Sequence, residues 1–146
     1  TQIRERRGLA YYVATEPDFF VDSGLLFYRA GVRLAKIDEA IKVMLNEYYD
    51  LTSKPVMAEE LKKAKEFLKG RMLLALEDSH QVAERYAGQI ILEKKIRTPE
   101  ETMKLIDQVT ADDVKRVAKK IFCQEKLNLA VIGPYKSEGR FKKLLV

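Results

Sequence analysis

The spacing of apolar and polar residues changes twice along this chain. Leu9 to Thr15 is dense in Tyr and Val, which predicts a strand. Leu25 to Val32 predicts a second strand, with Leu26, Tyr28, Ala30 and Val32 on one face and Leu25, Phe27, Arg29 and Gly31 on the other. Arg29 marks the second set as the wetter face. Pro17, Asp18, Asp22, Ser23 and Gly24 predict a turn between them, so the two strands run antiparallel. Ahead of both, Gly8 suits the stop after a short polar helix end over Thr1 to Arg7, because glycine accepts positive φ at no steric cost.

The period then becomes helical. Ile37, Ala40, Ile41, Met44, Leu45 and Tyr48 form one stripe, broken by Thr52 to Pro55. A second helix starts near Met57 or Ala58, with Glu59 and Glu60 in its first turn and an apolar stripe of Leu61, Ala64, Leu68, Met72 and Ala75. "LEDSH" (76–80) predicts a kink or a restart capped by Asp78 or Ser79, and Val82, Ala83, Tyr86, Ala87 and Ile90 carry the next stripe. "TPEE" (98–101) is a capping box with proline at the first helical position. "TADDV" (110–114) repeats the device, with Val117, Ala118 and Ile121 lining the helix behind it. Leu127 to Ile132 predicts a third strand, ended by Gly133-Pro134, and the basic tail from Tyr135 to Val146 has no assignment.

The predicted order is β-β-α-α-α-α-α-β. Strands and helices that segregate along the chain predict an α+β fold, an antiparallel sheet with helices packed on one face, in one domain over 1–146. Three strands make a thin sheet, and a further strand before residue 1 would complete it. A missing strand leaves a bare edge, which predicts self-association through that edge.

Composition narrows this little. The net charge of +5 comes from lysines that alternate with glutamates along helices, which describes a solvated surface rather than a nucleic-acid face. No apolar run approaches the ~20 residues of a membrane helix. The first residues are charged and form no signal peptide, so the expected location is cytoplasmic. The single cysteine, Cys123, reads as a small packing residue beside Phe122.

Candidate chemistry is sparse. One His and one Cys give no metal site by themselves, and His80 with Glu84 reads as a surface pair one helical turn apart. The seven glycines are scattered and form no phosphate loop. What remains is the opening stretch "IRERRGLAYYV" (3–13). Arg4 is a planar, permanently charged donor fork, and Tyr11 a rigid ring with a phenolic donor. Such a pair suits a peptide carbonyl, or the oxyanion formed when water attacks it. A surface arginine beside a half-buried tyrosine is the plainer reading of the same residues.

"IRERRGLAYYV", "DSGLLFYRAGV", "MAEELKKAKEFLKGRM", "LEDS", "VTADDVKRVAKKIF" and "LNLAVIGP" resemble, in order, the C-terminal, non-zinc domain of the insulinase/pitrilysin/mitochondrial processing peptidase family of zinc metallopeptidases. The resemblance runs from Thr1 to about Pro134. It implies two similar α+β halves around a chamber, with a His-x-x-Glu-His zinc motif in the first half. The second half supplies an Arg and a Tyr seven residues apart that contact the substrate backbone, a spacing met here by Arg4 and Tyr11. The chain then reads as a fragment cut at its N-terminus. It would carry no catalytic or metal-binding residue of its own, be inactive alone, and need an upstream zinc-bearing domain or subunit and a peptide substrate as partners. The alternative is a non-catalytic partner or core subunit of a processing-peptidase-like complex. Met57, before "AEEL", replaces the Ser or Thr that often caps that helix in the family.

Overall fold

The computed structural model describes residues 8–145. β1 (Ala10–Phe19) and β2 (Gly24–Val32) form a two-stranded antiparallel sheet. A 3-10 turn (Leu34–Lys36) leads into α1 (Ile37–Ser53). Then come α2 (Ala58–Ala75), α3 (Ser79–Gly88), a π-helical turn (Gln89–Glu93), α4 (Pro99–Gln108), α5 (Ala111–Ile121) and the short α6 (Gly139–Lys142). The fold class is α+β.

Two departures from the sequence pattern have physical causes. β1 continues through Pro17 and Asp18, and the turn is confined to 20–23, where Phe20 N–H donates to the Ser23 carbonyl at 3.0 Å. In a two-stranded ribbon each strand has one free edge, so a residue without an N–H is tolerated. Leu127 to Ile132, expected as a third strand, joins no ladder among the described residues. Its burial still alternates, with Leu127, Leu129 and Val131 half-buried and Asn128, Ala130 and Ile132 exposed. The period-2 pattern came from packing one side on the core, without strand pairing.

The chain divides into two compact units. The first comprises the described residues up to Asp18, then Leu26–Lys54 and the chain from Arg116 onward. Here α1 lies on the ribbon: Ala40 and Val43 pack with Leu9 and Ala10, flanked by Val13, Tyr28, Ala30 and Val32. That places the even-numbered face of β2 inward and exposes Arg29 and Gly31, as the alternation predicts. A second cluster joins Ile37 and Ile41 to Phe141, with Leu129 and Val131 against it. Tyr48 stacks on Phe122 at 4.3 Å and meets Tyr28 edge-on at 5.9 Å. Burial first, then Tyr28, pushes the Tyr48 phenol up to about 12. The segment from Tyr135 onward is docked on α1. Arg140 holds Asp38 with two donors at 2.9 Å, and Tyr135 packs edge-to-face on Phe141 at 4.9 Å.

The second unit comprises Phe19–Leu25 and Pro55–Lys115. Its helix ends follow the sequence signals. Asp78 caps α3, accepting from the N–H groups of His80 and Gln81. Thr98 and Glu101 form the reciprocal capping box of α4, and Met57 makes no side-chain cap on α2. The inward stripe of α2 differs from expectation. Leu61, Lys65, Lys69, Met72 and Ala75 are its half-buried positions, so the predicted stripe holds at Leu61, Met72 and Ala75, whereas Ala64 and Leu68 are exposed. Lys65 donates to the Asp107 carbonyl at 2.7 Å and Lys69 to the Asp107 carboxylate at 2.9 Å. Long lysine stems can cover apolar surface while their heads reach a polar partner, so a seam between helices need not follow the apolar stripe.

Candidate functional site

The candidate site opens the first unit. Gly8 has φ of +58°, the left-handed conformation expected from it. Leu9 and Ala10 then bury their side chains and anchor the start of β1. Tyr11 follows and is 69% exposed, so the anchored strand start presents its phenol at the surface. Tyr12, its neighbour, lies beside Gly31 on β2, where no side chain opposes it. Arg4 lies outside the described residues.

A residue that the sequence pattern did not single out stands next to Tyr11. Arg33, immediately after β2, donates from Nε to the Tyr11 hydroxyl oxygen at 3.2 Å. Its guanidinium carbon is 5.6 Å from the Tyr11 ring centroid, within cation–π range. The signal was the hairpin itself. Two antiparallel strands joined by a short turn bring the start of one beside the end of the other.

The other candidates stay apart from this site. His80 and Glu84 are both exposed on α3, 3.3 Å apart. Cys123 is half-buried. Among the described residues no group of three His, Cys, Asp or Glu side chains converges as metal ligands do. The residues present therefore do not fit a zinc site. No helix is long and apolar enough to cross a membrane among the same residues.

The arrangement offers a charged planar donor and a phenolic donor on one exposed rim, which suits a carbonyl or an oxyanion. Residues 1–68 match the family described as the Peptidase M16 inactive domain. The match places residues 1–68 in this peptidase family. An uncharacterized zinc protease from Mycobacterium leprae is 32% identical over 99% of this chain. The mitochondrial-processing peptidase subunit beta of Lentinula edodes is 32% identical over 78% of it. The chain spans about a third of the first relative's length (32%) and 24% of the second's. A chain of the structure titled "Complex III2 from Candida albicans, Inz-5 bound" shares the fold, with a TM-score of 0.72 and 22% identity over 82% of this chain and 28% of that one. The M16 match covers the ribbon, α1 and the start of α2, and so includes both Arg4 and Tyr11.

Proposed function

We propose that this chain is the C-terminal substrate-binding part of a zinc metalloendopeptidase and is inactive alone. Arg4 holds a substrate carbonyl, and the Tyr11 hydroxyl donates to the oxyanion that develops as water adds to the scissile peptide. Zinc, on this reading, belongs to a separate upstream domain or subunit. One observation carries the reading: an exposed phenol on a buried, rigid strand start, seven residues past Arg4, inside the stretch that matches the M16 inactive domain. A donor held in place before the reaction stabilises charge that appears only in the transition state. The free edges of the two-stranded ribbon are where the upstream domain, or a second copy, would add a strand.

The test is kinetic. In the intact peptidase, Tyr11→Phe should lower kcat by about 10²-fold or more. Arg4→Ala should lower kcat/KM. Unchanged kinetics in both variants would defeat the assignment. The second reading is a non-catalytic core or partner subunit, which the fold shared with a complex III chain accommodates. An intact His-x-x-Glu-His elsewhere on the polypeptide, or on a co-purifying one, separates the two.

A further inference from the structure

We propose that Arg33 is a positioning residue for Tyr11, holding the phenol so that its proton is kept for the substrate. This rests on the role given to Tyr11 above.

The argument begins with donor and acceptor inventory. A guanidinium has donors only. In the contact between Arg33 Nε and the Tyr11 hydroxyl, the phenolic oxygen must therefore accept. Its own proton takes no part in this contact and, among the described residues, is donated to no other group, which leaves it for a carbonyl. A neighbouring carboxylate or backbone carbonyl would have done the reverse and consumed that proton.

Two further observations set Arg33 apart. Among the described residues it makes no ion pair, whereas Arg29 reaches Glu16 at 3.5 Å and Arg140 reaches Asp38 at 2.9 Å. Among the described residues its side-chain hydrogen-bond partner is the phenol, not a carboxylate. Its backbone is also placed by structure on both sides. It follows the last residue of β2 with extended φ and ψ of −68° and 137°, and it opens the turn into α1, whose first residue, Ile37, is buried. The Tyr11 ring is 69% exposed, and the guanidinium at its oxygen and within reach of its face restrains it. A cationic donor on the oxygen also polarises the remaining O–H and places positive charge close to the developing oxyanion.

The test is a double-mutant cycle in the intact peptidase, with a spectroscopic arm on this chain. Arg33→Met should lower kcat about tenfold while leaving KM within about twofold. In the Tyr11→Phe background the same substitution should change kcat by less than about twofold, because the group it positions is gone. Arg33→Lys should recover part of the loss, since an ammonium also donates. On the chain itself, the 15N-detected Nε–H resonance of Arg33 should move in Tyr11→Phe and stay in Tyr12→Phe. Equal effects of Arg33→Met in both backgrounds, or an Nε–H signal indifferent to Tyr11→Phe, would overturn the role of Arg33 while leaving that of Tyr11 intact. A Tyr11→Phe enzyme with unchanged turnover would instead remove the functional reading and this inference with it.

Discussion

The two compact units are held by different physics. In the first, α1 buries Ile37, Ala40, Ile41 and Val43 against the ribbon and the C-terminal segment. In the second, α2, α3 and α4 have no fully buried residue among those described, and the seam between α2 and α4 runs through Lys65, Lys69 and Asp107. Large apolar side chains there face water, with Leu74 68% and Ile91 58% exposed. Burial is non-directional and worth about 25 cal/mol per Å² of apolar surface, whereas exposed ion pairs contribute ~0–1 kcal/mol each. The first unit is therefore stabilised by its core. The second depends on local devices at its helix ends, and exposed apolar side chains of this kind are the surface that interfaces use.

That contrast can be broken or sharpened by substitution. The largest effect is expected at Phe141, which is 7% exposed in the first unit. Phe141→Ala should cost about 3–5 kcal/mol in urea unfolding. A loss near zero would mean that the C-terminal segment does not contribute to that core. Thr98→Ala removes half of the capping box in the second unit and should cost about 1 kcal/mol by the same measurement, with the loss concentrated in amide-exchange protection of α4.

Asp78 gives a pH-dependent version of the same idea. Hydrogen bonds from the Gln81 side chain, and then from the His80 and Gln81 N–H groups, hold its carboxyl below the usual carboxylate range. A folded-state pKa lower than the unfolded one means that the cap's contribution is complete above about pH 3.9 and is lost as pH falls through the folded value. Helicity followed by circular dichroism should fall over that window, and Asp78→Asn should flatten the fall. The smallest effect belongs to the exposed face of α2. Leu74→Ser should change stability by no more than about 0.5 kcal/mol. A loss several times larger would show that this face is covered in solution.

What was legible in the sequence divides along the same line. The caps at Asp78, Thr98 and Thr110 were readable because each bond spans two or three residues. The inward face of β2 was readable because Arg29 broke the symmetry of the alternation. The α2 stripe was misjudged at Ala64 and Leu68, since a lysine seam has no apolar signature. Leu127 to Ile132 was given a strand because one-sided burial produces the same period as pairing. Tyr11 was singled out as a candidate through its spacing from Arg4 and the ordered family motifs. Arg33 was missed because no motif marks it, and only the closed hairpin brings it to Tyr11, 22 positions away.

The sequence alone determined where helices start, that strands and helices segregate, and which family the chain resembles, because those features rest on contacts within a few residues or on order along the chain. Tertiary structure decided the rest. It chose which side of α2 meets α4, docked Arg140 on Asp38 across 102 positions, and placed a guanidinium on the Tyr11 oxygen. Those choices depend on chain closure between distant segments, where many pairings are compatible with the same local pattern and only the folded packing selects one.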